Sequence, residues 1–178
     1  MQQSIDPAAK ALAFANGLRK NTVTAGRRWS TWPRGAAQLA AVIERIDAIV
    51  ERVRATPDEP TVAAAIADLR TILEWTTYQS ASLATARALV LARKTRTFAE
   101  RFGLFADGAS NFAVLVDSEA SLIENVRTKN GFMTELGARA PHLALPPPLV
   151  SHESLLPVAP KPPGRLALIA QLTKSAKK

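Results

Sequence analysis

The chain contains no cysteine, and only two histidines, His142 and His152. Without thiols there can be no disulfide, thiolate zinc site, cysteine-ligated iron–sulfur cluster or cysteine nucleophile. Both histidines fall in a proline-rich stretch, ten residues apart, which does not preorganise a metal pair or a general base. The glycine and histidine patterns of zinc proteases, serine hydrolases, EF-hands and dinucleotide-binding turns are all missing. The nearest approach to a phosphate-binding loop, Gly103 to Ser110, carries Ala109 where a lysine must reach the phosphates. A helix–helix turn with glycines at the caps accounts for both of its glycines. These absences predict a non-enzymatic protein with no cofactor and no metal.

Long apolar runs are lacking too. Stretches such as Ala88–Ala92, Phe112–Val116 and Leu166–Ala170 fall far short of the roughly 20 residues that cross a bilayer. The start, Met1 to Asp6, has neither a basic nor an apolar leader segment, so the expected location is the cytoplasm, or a virion if the source is viral.

What is present is a chain of 178 residues, 47% apolar, with a net charge of +8. That length and composition suit one globular unit with a sizeable core. Proline sets the organisation: eight of the 12 prolines lie from Pro141 to Pro163, and Pro7, Pro33, Pro57 and Pro60 stand beside helix starts. Neither Gly nor Pro occurs from Ala36 to Thr56, from Thr61 to Phe102 or from Ala109 to Asn130, and these windows read as helices. In the first, Leu39, Ile43, Ile46, Val50 and Val53 follow a 4–3 spacing that keeps one face apolar. In the second, Val62, Ile66, Leu69, Leu73, Thr76, Ser80 and Leu83 repeat it, and the Pro57–Pro60 link makes the two an antiparallel hairpin. The third carries Phe112, Val116, Glu119, Ile123 and Val126; a carboxylate in that seam must lie at a rim or pair with a base from a neighbouring helix. A short helix starts at Asp6-Pro7 and ends near Gly17.

The predicted architecture is therefore an all-α antiparallel bundle: a helical hairpin with one or two further helices, an extended N-terminal arm and a Pro-rich C-terminal tail. Residues 1–35 form the first helix and a basic, Trp-containing arm, residues 36–140 the bundle, and residues 141–178 the tail with a short terminal helix.

Charge is the most informative feature. No acidic residue occurs from Pro7 to Ile43, and this block carries six bases, among them Arg27, Arg28 and Arg34 interleaved with Trp29 and Trp32. Guanidinium groups beside indoles suit phosphates and bases, or a partner's surface, and the alternative is a connector whose tryptophans pack on the hairpin while its arginines point to water. A second basic set, Arg87, Lys94 and Arg101, recurs every seventh residue and thus shares one helix face. At the far end, Leu166, Leu168, Ile169 and Leu172 make an apolar helix face too short to stand alone, which calls for a groove on its own body or on a partner. Together these features predict a structural subunit of a large multi-protein assembly, such as a virion head, connector or tail component, tied to other subunits by its arm and tail. The alternative is a small nucleic-acid-binding subunit of a nucleoprotein complex.

Overall fold

The computed structural model describes residues 6–102 and 109–157, the side chains of 109–116 excepted. Four helices carry the fold, α1 (Pro7–Trp29), α2 (Gly35–Ala55), α3 (Glu59–Arg101) and α4 (Ala109–Arg139). There is no strand among the described residues, and the chain is an all-α helical bundle.

Helix α1 begins as expected, with the Asp6 carboxylate accepting from the Ala8 amide and Pro7 in the first turn. It does not stop at Gly17. Ala8, Ala11, Ala15, Leu18, Thr22, Gly26 and Trp29 are buried at 3–4 spacing, so one face continues unbroken to Trp29. Packing of that face outweighs the roughly 1 kcal/mol that a mid-helix glycine costs. The predicted extended arm is therefore helical up to Trp29, and only a tight turn separates it from α2. In that turn the Trp32 amide donates to Trp29 O (2.8 Å), the Gly35 amide donates to Trp32 O (3.0 Å), and Arg34 takes a left-handed conformation with φ 64°. A Cβ on Gly35 would lie 1.8 Å from Trp29 O, so only glycine lets the chain fold back here.

Helix α2 runs back along α1, tied by Arg19 to Asp47 at 2.8 Å. It buries Ile46, Val50 and Val53 of the expected seam together with Val42 and Ile49 beside it, while Leu39 and Ile43 are half-buried. Asp58 then caps α3, accepting from the Thr61 amide at 2.8 Å; hydrogen bonding with the Thr61 side chain, and next with this amide, holds the Asp58 carboxyl below the usual aspartate range. At 43 residues α3 is about 65 Å long and is the spine of the molecule. Its core face is broader than expected and centred to one side: Val62, Leu69, Thr76 and Leu83 are buried as the spacing predicts, Ile72, Trp75 and Gln79 are buried as well, and Leu73 is 39% exposed. A hairpin has one partner, whereas α3 is packed by α1, α2 and α4 together.

Helix α4 lies antiparallel to α3. Glu119 stands level with Arg93 and Arg96, Asn130 with Ser82, and Phe132 with Tyr78. The anomalous Glu119 is buried and paired with both arginines, at 3.3 and 3.0 Å, as its place in the seam requires.

After α4 the chain turns back through Pro141–Leu143 and runs extended to Glu153–Leu155, the two single 3₁₀ turns of the structure. Its carbonyls are met by side chains of the body: Arg45 Nε donates to Leu143 O (3.0 Å), Gln38 Nε2 to Pro147 O (2.6 Å), Asn130 Nδ2 to Val150 O (2.8 Å) and Arg93 to Leu155 O. Leu143, Val150 and Leu155 are buried in the same core as α1–α4. Prolines suit such a segment, because an extended chain between helices has few acceptors for its amides and proline brings none. His142 Nε2 lies 2.7 Å from Asp68, which also accepts from Arg52 at 2.6 Å, and this pins the start of the strap. The prolines mark the end of the helices but not the end of the core.

Candidate interaction face

Two sets of contacts fix where the bundle ends. Trp29 Nε1 donates to Ser80 Oγ at 3.3 Å, and Arg87 Nη2 donates to Arg28 O (3.1 Å) and Thr31 Oγ1 (2.5 Å). The turn that joins α1 to α2 therefore stands level with Arg87. Beyond it α3 runs on to Arg101, roughly 21 Å, with α4 alongside as a two-helix arm.

In a bundle, the face of α3 turned away from α4 would be covered by further helices. On the arm it is open. Leu91 is 66% exposed, Phe98 58%, Phe102 61% and Val90 43%, while only Leu89 and Ala99 are buried in this stretch of α3. The Phe98 and Phe102 rings pack on each other at 4.5 Å, and together with Val90, Lys94 and Arg101 they line a shallow depression of about 630 Å³. A second cleft, about 290 Å³, opens at the base of the arm between Arg28, Trp29, Ala84 and Arg87.

The residues singled out from sequence divide accordingly. Arg28 and Arg87 border the basal cleft, and Lys94 and Arg101 line the depression further out, so these four are brought to one side of the molecule. Arg27 and Arg34 are exposed at the end of α1 and in the turn, and they line neither of these two depressions. The tryptophans are not presented as stacking surfaces. Trp29 is fully buried, with its ring edge-on to Trp75 at 5.7 Å, and Trp32 packs partly against the core. The reason is positional: Trp29 is the last member of the buried face of α1, so the helix that carries it turns it inward. Leu166, Leu168, Ile169 and Leu172 lie outside the described residues.

Leu91, Phe98 and Phe102 were not singled out from sequence, although their signal was there. Leu91 and Phe98 fall four residues after Arg87 and Lys94, so they belong to the same stripe as the seven-residue cation repeat. Among the described residues no carboxylate pairs with Arg28, Arg87, Lys94 or Arg101. By contrast Arg93 and Arg96 both pair with Glu119, and Arg96 also lies 4.0 Å from Glu100. The described residues contain no group of His, Asp and Glu that could hold a metal ion, and no described helix is long and apolar enough to cross a membrane. Comparison with protein-family models, with curated proteins and with solved structures finds no match to this chain.

Proposed function

We propose that the protein is a non-enzymatic subunit of a multi-protein assembly and that it docks to its partner through the open face of the α3 arm. The observation that carries this reading is the row of exposed Leu91, Phe98 and Phe102 on a helix that has left its own bundle. Large apolar side chains held in register on a rigid element, rimmed by cations, have the make-up of an interface core with its polar rim. A phosphate-tracking surface is less well served by this face. Its cations are interrupted by Leu91 and Phe98, and of the two indoles that would stack on bases Trp29 is withdrawn into the core and Trp32 packs partly against it.

The test is size. In native extracts the chain should migrate within a large complex, and the double variant Leu91→Asp/Phe98→Asp should fall to the monomer position while the purified variant keeps its melting temperature. A wild-type chain that migrates as a monomer, or a variant that stays in the complex, would defeat the reading.

A further inference from the structure

We infer that the open face of α3 is completed by one α-helix of a partner protein, in which apolar residues alternate with Asp or Glu on a seven-residue repeat. This rests on the assembly reading above and goes further by naming the partner's chemistry.

The first argument is periodicity. Leu73, Thr77, Ser80, Ala84, Arg87, Leu91, Lys94, Phe98 and Arg101 are spaced 4, 3, 4, 3, 4, 3, 4, 3. Each of them is exposed except Ser80, which is half-buried. The stripe is about 42 Å long. A straight stripe at an average spacing of 3.5 is what a second helix, wound slightly around the first, can follow along its whole length.

The second argument is shape. Over its first half the stripe lies beside α1 and floors a groove with Leu18, Thr22 and Ala25. Small side chains at Ala25, Ser80 and Ala84 let another backbone approach closely. The Thr22 hydroxyl, on a residue that is fully buried, has no hydrogen-bond partner there. A bilayer surface cannot enter a groove between two helices. A helix can, and it then continues onto the arm over Leu91 and Phe98.

The third argument is charge. Arg87, Lys94 and Arg101 alternate with Ala84, Leu91 and Phe98, and no carboxylate among the described residues pairs with these three cations. An apolar partner helix would desolvate Lys94 and Arg101 without compensation, and would leave the Arg87 charge with only its two hydrogen bonds to Arg28 O and Thr31 Oγ1. A second copy of this chain pairing through the same stripe would bring three more cations and, within the stripe, no acid. The chain's own end is also basic, with Arg165, Lys174, Lys177 and Lys178 around its apolar residues. Only an acidic helix satisfies both halves of the pattern, its apolar residues meeting Leu91 and Phe98 and its carboxylates meeting the bases.

The experiment uses the full chain and two synthetic 28-residue helical peptides. Both have leucine on the 4–3 seam; one carries Glu and the other Lys at the flanking seven-residue positions. Fluorescence anisotropy should give the Glu peptide an affinity about 10- to 100-fold above the Lys peptide at low salt, narrowing as salt is raised. The triple variant Arg87→Glu/Lys94→Glu/Arg101→Glu, checked for helix content and melting, should reverse the preference. Leu91→Asp/Phe98→Asp should lose both peptides. The inference is overturned by equal or absent binding of the two peptides, or by a preference that the charge reversal leaves unchanged. Tighter binding to duplex DNA or to phosphatidylserine vesicles, a self-dimer abolished by Leu91→Asp/Phe98→Asp, or displacement of the Glu peptide by a peptide of residues 165–178 would overturn it as well. If these peptide results fail while Leu91→Asp/Phe98→Asp still releases the chain from its native complex, the assembly reading stands and the acidic-helix partner alone is wrong.

Discussion

Replacing Trp29 with alanine separates core from contact. Trp29 and Trp75 are the two largest side chains with no solvent exposure among the described residues; Trp29 meets Trp75 edge-on at 5.7 Å, and its backbone carbonyl receives the Trp32 amide that closes the turn into α2. Truncating a fully buried tryptophan typically costs about 3–5 kcal/mol, of which the aromatic pair accounts for about 0.5–1.5 kcal/mol. The indole hydrogen bond to Ser80, at 3.3 Å, is long and adds only at the lower end of the usual range. For a chain of this size, a loss near 4 kcal/mol lowers the melting temperature by roughly 8–16 °C. Trp29→Phe keeps a ring against Trp75 and should lose well under half of that. Phe98→Ala is the matched control: at 58% exposure its effect on stability should stay within about 0.5 kcal/mol. Thermal unfolding followed by helical circular dichroism reads all three, and partner binding per folded molecule is measured in parallel. Loss of stability without loss of affinity in Trp29→Ala, and the reverse in Phe98→Ala, is the expected pair of outcomes. A Trp29→Ala protein that melts within about 2 °C of wild type but no longer binds would refute the assignment of this residue to the core.

Two further predictions concern the frame that holds the arm. Leu143→Ala removes a strap side chain that is 4% exposed and should cost about 2–5 kcal/mol in urea unfolding, whereas an unchanged midpoint would show that the strap does not close the core. Asp58→Ala removes the cap of α3; because the Asp58 carboxyl is held below its ordinary value, its contribution is present above the normal aspartate range and is lost as pH falls through the lowered one. The melting-temperature gap between wild type and Asp58→Ala should therefore be largest near neutral pH and close in acid below the ordinary aspartate range, and a gap that widens in acid would contradict the capping role.

The helices were legible because their evidence is local. Asp6-Pro7 and Asp58-Glu59-Pro60 are start signals in themselves, and Ile46, Val50 and Val53 of the α2 seam are buried as their spacing predicts. Three features were not legible, each for a tertiary reason. The continuation of α1 past Gly17 depends on Leu18, Thr22 and Gly26 finding α2 and α3; Gly26 shows how closely, since a Cβ there would come within 2.3 Å of Leu39. The buried face of α3 was misjudged by one position at Leu73 because a helix packed from three directions has no single apolar stripe for periodicity to find. The strap was invisible because its hydrogen bonds are made by carbonyls, which every residue has, to Gln38, Arg45, Arg93 and Asn130, which are scattered over three helices. The site was half visible: the cation repeat Arg87, Lys94 and Arg101 stands in the sequence, but exposure decides whether Leu91 and Phe98 are core or contact, and exposure depends on where α1 and α2 stop.

That stopping point also explains how the arm can hold its shape without a partner. Two helices alone enclose little, and between Arg87 and Arg101 α3 buries only Leu89 and Ala99. The arm compensates with polar cross-links directed inward: Glu119 lies between Arg93 and Arg96, and Arg93 also reaches Leu155 O at the far end of the strap. Such links fix the register of α3 against α4, because a slip of one turn would strand a buried carboxylate away from both of its bases. Register is what a docking face requires, since Leu91, Lys94 and Phe98 can meet a complementary row only if α3 holds one orientation about its axis. Among the described side chains of the arm, the ion pairs turned inward and the large apolar residues turned outward invert the usual arrangement of a free-standing helix pair. The inversion has a physical sense if the outer face becomes an inner face on assembly: the ion pair already orients the arm before the partner arrives, so less ordering remains to oppose binding.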